Sequence, residues 1–427
     1  CGGTVLRGGP VPFGTTVAVG DRKTHPIMRI QTGKGTVSPG VLLAIWSVSA
    51  VTSLPGLAVS PILGDLNRIF PHATNLEIQM LTSLPSLLII PFVLLSGRLS
   101  VSRDKFRTLA VGLALFFAAG LASLFARSMA GLIAMSCLLG VGAGMVIPFS
   151  TGLVVDYFTG GYRIRQLGYS SAISNLVLVA ATALAGYLAG IDWHLPFLVY
   201  LLPGLSLALV FRLRRQPSAQ EPPQSLQLMN RSIDRRKLVG LMAFYFFITY
   251  AALAVVFYAS FLVERYGLGS SFSGGLISLF FLAVMLPGLF IDRVIVRLKG
   301  LTNLVSLALL CLGLAVFGVF HHRFPLLAGA AFAGLGYGIM QPVIYDKAAT
   351  IAPPRSATLA LSFVMAMNYL AVVACPFIVD AFRSFFLLHG EHFPFLFNAV
   401  WVAVVWVAAL LRRDSFTLGL GKSYYVL

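Results

Sequence analysis

Charged residues are scarce in this sequence. Only 11% of its 427 residues are charged, whereas 58% are hydrophobic. A soluble globular domain is about one quarter charged, so this composition cannot cover a water-exposed surface. Acidic residues are the fewest, with 14 Asp and Glu against 31 Lys and Arg. The shortage of charge excludes an ordinary soluble fold and indicates that lipid is the main solvent of the chain.

Cysteine is rare as well, and its positions define no site. Three of the four cysteines, Cys137, Cys311 and Cys375, lie inside apolar runs. None has the spacing of a metal-ligand pair or of a disulfide framework. The cysteines are therefore expected to be small core residues, and the sequence predicts neither a metal site nor a bound cofactor.

Long apolar runs are what the sequence has in abundance. A helix needs about 20 apolar residues to cross the hydrocarbon of a bilayer. Twelve runs of this kind are predicted as transmembrane helices: 41–62, 77–97, 107–126, 129–153, 167–190, 194–211, 239–262, 271–291, 302–320, 324–345, 357–379 and 393–411. The predicted fold is therefore an all-α integral membrane protein.

The distribution of basic residues predicts the orientation. With twelve crossings both termini lie on one side, and that side carries 26 of the 31 Lys and Arg. The other side carries only Arg68, Arg127, Arg265, Arg323 and Arg383. Because Lys and Arg concentrate on the cytoplasmic side, we expect a multi-pass protein of the cell (inner) membrane with both termini in the cytoplasm.

The predicted organisation is two six-helix bundles joined by a linker. Its parts are a disordered cytoplasmic arm (1–40), a first bundle (41–211), a cytoplasmic linker (212–238), a second bundle (239–412) and a cytoplasmic tail (413–427). The linker is rich in Pro, Gln, Ser and Arg, which is typical of a flexible connection. Residues 1–27 precede the first methionine, Met28, and are expected to be a fragment or a start-site artefact.

An internal repeat relates the two bundles. The fourth run contains GVGAGMVIP (140–148) and the tenth contains GLGYGIMQP (334–342). Glycines four residues apart share one helix face and allow a neighbouring backbone to approach closely, and proline softens a helix locally. The predicted hinge and packing residues are Gly140, Gly144, Pro148, Gly334, Gly338 and Pro342.

The loop between the second and third runs carries the most specific signal. Its sequence, GRLSVSRDKFR (97–107), resembles the G-x-L-x-D-R-x-G-R-R/K motif of the major facilitator superfamily, with Val101 in place of the family's Asp and Asp104 in place of its second Gly. With the twelve runs in two sets of six, the chain resembles a twelve-helix bacterial member of that family over residues 38–412.

The resemblance implies that this loop acts as a cytoplasmic latch between helices and between bundles. The latch residues that the resemblance implies are Gly97, Arg103, Lys105, Arg107 and Asp156 in the first half and Gly288, Asp292 and Arg293 in the second. Arg103 is the expected partner of Asp156, and Asp292 is expected to act together with Arg293.

The resemblance also implies a solute cavity lined by the first, fourth, seventh and tenth helices. Uncharged polar and aromatic residues recur there at spacings of three and four. The candidate substrate-binding residues are Trp46, Ser49, Ser53, Tyr245, Thr249, Tyr337, Gln341 and Asn368. The alternative is that the same side chains anchor helices at membrane interfaces or join them by hydrogen bonds.

No ionisable residue falls at the centre of a predicted helix, where one would be a functional hypothesis by default. This favours a neutral, zwitterionic or amphipathic solute over one that needs a fixed countercharge. Three acidic residues nearer the helix ends, Asp346, Asp65 and Glu77, are candidates for ion coupling, with protons as the possible partner.

The predicted function is secondary active transport of a small solute by alternating access, by a protein expected to be a monomer and not an enzyme. Export of an amphipathic compound ranks above uptake of a neutral nutrient such as a sugar, although the fifth helix lacks the proline of the exporter motif. An integral-membrane enzyme is the remote alternative, for which His321, His322, His389, Glu391 and His392 are the available groups.

Overall fold

The computed structural model of the protein describes residues 30–33, 35–55, 69–70, 75–102, 104–189, 191–213, 233–268, 270–385, 390 and 392–420. Its principal helices are α1 Pro39–Val51, α2 Asn75–Ser102, α3 Lys105–Ser123, α4 Met129–Tyr157, α5 Gly160–Ala189, α6 Leu202–Leu213, α7 Arg235–Arg265, α8 Ser270–Leu289, α9 Thr302–Val319, α10 Arg323–Ile351, α11 Ala357–Phe385 and α12 Phe393–Leu411. A 3-10 segment, Leu195–Leu201, leads directly into α6, and a short connecting helix, Ile291–Leu298, joins α8 to α9.

The predicted all-α membrane fold is confirmed. Within the described residues, nine helices are long and apolar enough to cross a membrane, and three shorter apolar segments lie in α1, in α2 and across the 3-10 segment into α6. Each of these twelve segments overlaps one of the twelve predicted runs. The connecting helix was not predicted, because it is only eight residues long and charged residues interrupt its apolar ones.

The first helix is shorter than its apolar run. The run continues to residue 62, but α1 ends at Val51 and residues 52–55 form turns. Pro55 follows shortly after this end and disfavours a helical conformation at Leu54. Residues 56–68 lie outside the described part of the chain.

The described part of the N-terminal arm is ordered, in contrast to the expected disorder over residues 1–40. Ile30–Gln31 pairs antiparallel with Thr36–Val37, and the turn between them includes Gly33 at a φ of 82°. The backbone N–H of Thr159 donates to the carbonyl of Thr32 at 3.0 Å. This bond fixes the hairpin to the connection between α4 and α5.

The repeated glycine motif lies where three helices of the first half pack closely. α4 runs between α2 and α3. A methyl group on Gly140 would come 2.7 Å from the Cα of Pro85 in α2, and one on Gly144 would come 2.8 Å from the Cβ of Phe92 in the same helix. The middle glycine, Gly142, meets the backbone of α3 instead. The glycines of the motif therefore allow close contact on two sides of α4, with α2 on one side and α3 on the other.

The second copy of the motif packs in the same way. α10 runs between α8 and α9. A methyl group on Gly334 would come 2.5 Å from the carbonyl oxygen of Phe280 in α8, and Gly338 faces α8 as well. A methyl group on Gly336 would come 2.6 Å from the carbonyl oxygen of Ser306 in α9. The two bundles thus use the same residue type for the same helix contacts.

The prolines of the repeat do not interrupt their helices. Pro148 is buried in α4, which continues to Tyr157, and Pro342 is buried in α10, which continues to Ile351. Their role as hinges stays a prediction.

The two halves meet most extensively through α2 on α11 and through α5 on α8. Gly97 of α2 lies against Ser362 of α11, and a methyl group on Gly288 of α8 would come 2.5 Å from the carbonyl oxygen of Gly168 in α5. Both contacts are at the end of the bundle where α6 ends and α7 begins, here called the linker end. The halves are therefore in close contact at the linker end.

Candidate functional site

An uncharged polar cluster lies where α5 of the first half meets α7, α10 and α11 of the second. Its members are Ser171, Tyr245, Thr249, Tyr337, Gln341, Tyr345 and Asn368. We call this set the polar cluster. Hydroxyl and amide groups are the only side-chain polar groups in it.

Helical spacing explains why these side chains meet. Tyr337, Gln341 and Tyr345 are each four residues apart in α10, so they share one face of that helix. Tyr245 and Thr249 share a face of α7 for the same reason. The packing of α10 against α7 and α5 then brings these faces together.

Gln341 is at the centre of the polar cluster. Its Oε1 accepts a hydrogen bond of 2.6 Å from the hydroxyl of Ser171 in the other half. Its Nε2 donates to the hydroxyls of Tyr245 at 3.3 Å and Tyr345 at 3.4 Å. The side chain is partly buried, where an amide without partners would be costly, so these contacts fix its orientation.

The tyrosines extend the cluster into a chain of hydrogen bonds. The hydroxyl of Tyr245 lies 2.8 Å from that of Tyr345 and 3.4 Å from that of Tyr337. Tyr337 donates to Oδ1 of Asn368 at 3.3 Å and lies 3.4 Å from the hydroxyl of Thr249. Hydrogen bonds of this kind strengthen one another where water is excluded, so the cluster is a preorganised set of donors and acceptors.

The structure brings five of the eight predicted substrate-binding residues into the polar cluster. The other three belong to the first half. Trp46 donates from Nε1 to Oε1 of Gln166 at 3.1 Å, and Ser49 is buried in α1 with its hydroxyl directed to the carbonyl of Ile45. Ser53 is half-buried in the turn after α1.

The contribution of α5 was missed by the sequence analysis. Gln166 bonds Trp46, Ser171 bonds Gln341, and the hydroxyl of Ser174 donates to the carbonyl of Ser49 at 2.7 Å. A signal was present in the sequence, because Gln166 and Ser174 lie eight residues apart on one helix face. That face joins the first-half residues to the polar cluster.

An ion pair joins the two halves at the linker end. Nε of Arg163 in α5 lies 2.5 Å from Oδ1 of Asp346 in α10, and the two side chains are 14% and 1% exposed. Nε of Arg165 lies 4.0 Å from Oδ2 of Asp292 in the connecting helix. Asp346, a predicted ion-coupling residue, is therefore buried beside a guanidinium of the opposite half.

The neighbouring residue, Lys347, contacts the C-terminal tail. Its Nζ donates to the carbonyls of Phe416 at 2.9 Å and Gly419 at 2.6 Å, and the amide of Asn303 donates to the carbonyl of Leu418 at 2.9 Å. The described part of the tail is therefore folded against α9 and α10.

Of the two expected latch pairs, only that of Asp292 with Arg293 lies wholly within the described residues. Asp156 at the end of α4 pairs with Lys105 at 3.0 Å, whereas its expected partner Arg103 lies outside the described residues. Asp292 pairs with Arg165 of the other half, not with Arg293. The reason is geometric, because adjacent residues of a helix point in different directions.

The remaining latch residues lie near the same connections. Arg293 places its guanidinium 5.6 Å from the ring centre of Phe290. Arg107 pairs with Asp104 at 3.6 Å, and the carboxylate of Asp104 also accepts a bond from the backbone N–H of Phe106. Asp104 thus caps the N-terminus of α3, a role for which aspartate is well suited.

Two of the predicted ion-coupling side chains lie outside the described part of the structure. Asp65 lies outside the described residues, and the side chain of Glu77 is not among the described side chains of α2. Asp346 is the one of the three whose surroundings the structure describes.

The histidines considered for an enzyme are at the opposite end of the bundle. The ring centres of His321 and His392 are 5.1 Å apart, and the hydroxyl of Tyr266 lies 2.7 Å from Nε2 of His392. His389 and Glu391 lie outside the described residues. In the part of the chain that the structure describes, no group of three or more His, Cys, Asp or Glu is placed to hold a metal ion.

Comparison with known proteins identifies a family. The family model described as Major Facilitator Superfamily matches residues 41–376, most of the chain. No curated protein matches the sequence.

Solved structures with the same fold have little sequence in common with the chain. The proton:xylose symporter XylE bound to 6-bromo-6-deoxy-D-glucose is 13% identical, with a TM-score of 0.70 over 89% of this chain and 97% of that one. The human organic anion transporter MFSD10 (TETRAN) is 16% identical, with a TM-score of 0.66 over 86% and 97%. The transporter FucP in the outward conformation is 13% identical, with a TM-score of 0.67 over 88% and 98%.

Proposed function

This chain belongs to the Major Facilitator Superfamily and is a membrane transporter, and from this premise we propose that it moves a small neutral or amphipathic solute by alternating access, with export as the preferred direction. The polar cluster carries the proposal. It joins the two halves through the bond between Ser171 and Gln341, and it consists of uncharged donors and acceptors beside aromatic rings. Sites of this composition bind ligands with apolar surface and a few polar groups.

Uptake of a neutral nutrient is the second candidate. The density of hydroxyl and amide groups around Gln341 favours it, because each hydroxyl of a sugar needs such a partner. The absence of a charged residue among the members of the polar cluster fits both candidates and argues against a solute that needs a fixed countercharge.

The ion pair at the linker end provides a mechanism for coupling. When the halves separate at this end, Arg163 and Asp346 move apart, and the attraction between their opposite charges is lost. Protonation of Asp346 removes one of the two charges and makes separation less costly. We therefore place proton coupling at Asp346, with the Lys105–Asp156 pair and the Gly97 and Gly288 contacts as the latch that closes this end.

The proposed orientation has the linker end and both termini in the cytoplasm, in the cell (inner) membrane, and the protein acts as a monomer. The excess of Lys and Arg in the segments at the linker end supports it. We expect a cysteine introduced in the linker to react with a membrane-impermeant thiol reagent only after the cells are lysed. Labelling in intact cells would contradict the orientation.

The transport proposal is tested in vesicles. Purified protein is reconstituted in liposomes, and inverted and right-side-out membrane vesicles are compared, with a neutral amphipathic dye and radiolabelled monosaccharides as solutes. Accumulation of the dye in inverted vesicles under a proton gradient supports export. Accumulation of a sugar in right-side-out vesicles supports uptake instead. Movement of neither class under any ion gradient contradicts both candidates.

A further inference from the structure

A groove of about 400 Å³ opens at the linker end of the second half, and none of its lining residues belongs to the polar cluster. It lies between the beginning of α7, the end of α12 and the C-terminal tail. The lining residues on the two helices include Phe244 and Phe247 of α7 and Val405 and Ala408 of α12. Its wall is therefore mainly apolar.

The groove is long enough for part of an acyl chain. Its lining on α7 runs from Gly240 to Phe247, a separation of seven residues, which at a rise of 1.5 Å per residue corresponds to roughly 10 Å along the helix axis. Since α7 begins at Arg235, the groove starts near the membrane surface and extends toward the hydrocarbon. It is oriented as a lipid chain would be.

The mouth of the groove is held in place by the tail. Ser415, Thr417 and Leu418 line it, and the backbone carbonyls of this segment accept the hydrogen bonds from Lys347 and Asn303. A methyl group on Gly240 would come 2.9 Å from the hydroxyl of Thr417, so the tail lies directly on α7. The mouth is thus a built feature and not a gap beside a free chain end.

Basic residues are concentrated where the two lining helices meet the linker end. Arg412 lines the groove, Arg413 follows it, and α7 begins with three cations, Arg235, Arg236 and Lys237. The acidic residues of the same two segments are Asp234, which pairs with Lys237 at 3.1 Å, and Asp414. Five cations against two carboxylates leave an excess of three positive charges. The N-terminus of α7 adds the positive end of a helix dipole.

We propose that this groove binds an anionic glycerophospholipid, with an acyl chain against the apolar wall and the phosphate headgroup held by Arg412 and the cations that begin α7. Charge complementarity selects this occupant over a neutral lipid, because basic pockets beside transmembrane helices attract acidic headgroups. The site lies on the second half alone, so bound lipid adds no contact between the halves.

Native mass spectrometry of the full-length protein tests the proposal. Protein purified in a neutral detergent is titrated with phosphatidylglycerol or with phosphatidylcholine of the same acyl chains. We expect one phosphatidylglycerol molecule to be retained under conditions that remove phosphatidylcholine. The double variant Arg412→Gln/Arg413→Gln is expected to lower this preference about tenfold, since each cation near the surface contributes to binding an anionic lipid.

A matched control separates the site from general surface charge. Arg297→Gln/Lys299→Gln removes the same charge from exposed positions near the connecting helix, outside the groove, and should retain the wild-type preference. An equal loss in both double variants would overturn the proposal. So would equal retention of the two lipids by the wild type.

A second pair of variants tests the apolar wall without changing charge. Ala408→Phe fills the groove and should abolish retention of the lipid, whereas Leu410→Phe, at an exposed position outside the lining, should not. Unchanged retention in Ala408→Phe would show that no chain enters the groove. A dimer in place of the lipid adduct would assign the groove to a second copy of the chain and contradict the proposal.

Discussion

Two adjacent residues of α10, Asp346 and Lys347, hold opposite charges that act on different parts of the molecule. Asp346 reaches Arg163 in the other half, and Lys347 reaches the carbonyls of Phe416 and Gly419 in the tail. Neighbouring helical residues point about 100° apart, so the two groups serve separate contacts. Only the contact of Asp346 must break when the halves separate at the linker end.

Neutralising Asp346 is therefore expected to change the response of transport to pH. Asp346→Asn replaces the carboxyl group with an amide that does not bind or release a proton, so the rate of proton-driven transport should lose its dependence on pH. The control Asp192→Asn, in the exposed connection after α5, should keep the wild-type dependence. The measurement is solute flux in proteoliposomes at a series of pH values. An Asp346→Asn profile that matches the wild type would remove this residue as the coupling site.

The same substitution has a consequence for stability. It leaves the guanidinium of Arg163 buried without its partner, and breaking a buried pair on one side costs about 3 to 5 kcal/mol. Thermal unfolding in detergent should show a clear fall in melting temperature for Asp346→Asn, partly restored in the double variant Arg163→Gln/Asp346→Asn. A double variant less stable than the single one would contradict the pairing.

The hydroxyl of Tyr245 tests the polar cluster with the smallest change. Tyr245→Phe keeps the ring but removes the group that lies 2.8 Å from Tyr345 and accepts from Gln341. Losing one such buried partner should weaken solute binding about tenfold, which appears as a higher KM for transport. Tyr187→Phe, at a position of α5 that is 71% exposed, is the control. Equal KM values in the two variants would separate the cluster from the solute site.

At the scale of elements, helix–helix contacts in each half depend on glycine. The first and third glycines of the repeat face α2 or α8, and the middle one faces α3 or α9. Lipid gives no hydrophobic drive for helices to associate, so close backbone approach through small residues supplies much of the packing. The repeat is thus a packing device whichever way the helices move.

Enlarging the middle glycine of the second copy should loosen α10 from α9. In Gly336→Ala the new methyl group would come 2.6 Å from the carbonyl of Ser306 and 2.7 Å from the backbone nitrogen of Leu310, and overpacking of this kind costs about 1 to 3 kcal/mol. Gly274→Ala in α8 meets nothing within 4 Å and should be neutral or slightly stabilising. Thermal unfolding of both variants in detergent is the measurement, and equal melting temperatures would contradict the packing role.

The elements were predictable because hydropathy reports them directly. α12 coincides with its predicted run, while α10 and α11 each extend six residues beyond theirs. The added turns contain polar or charged residues, so a search for apolar runs does not detect them. The connecting helix is amphipathic, with Ile291 and Ile295 buried and Arg297 exposed, a spacing that the sequence does contain.

At the scale of the whole molecule, contacts between the halves were beyond the reach of the sequence. Ser171 and Gln341 are 170 residues apart, and Arg163 and Asp346 are 183 apart. No local pattern connects such positions, and each side chain alone is also explained as a helix-end or packing residue. The repeat predicted that two bundles would face each other, but not which residues would meet.

In the proposed transport cycle the two bundles move against each other around the polar cluster. α5 and α8 run antiparallel across the boundary and touch at Gly168 and Gly288 near the linker end. Motion of one bundle against the other would open this helix pair at one end while closing it at the other.

Distances between pairs of spin labels, measured by double electron–electron resonance, test this claim most directly. One pair replaces exposed residues at the linker end, Tyr162 of α5 and Arg293 of the connecting helix that follows α8. The other pair replaces Tyr187 of α5 and Gly274 of α8 at the opposite end. Between acidic and neutral pH, or with and without a transported solute, the two distances should change in opposite directions. Two distances that stay constant, or that lengthen and shorten together, would contradict the account.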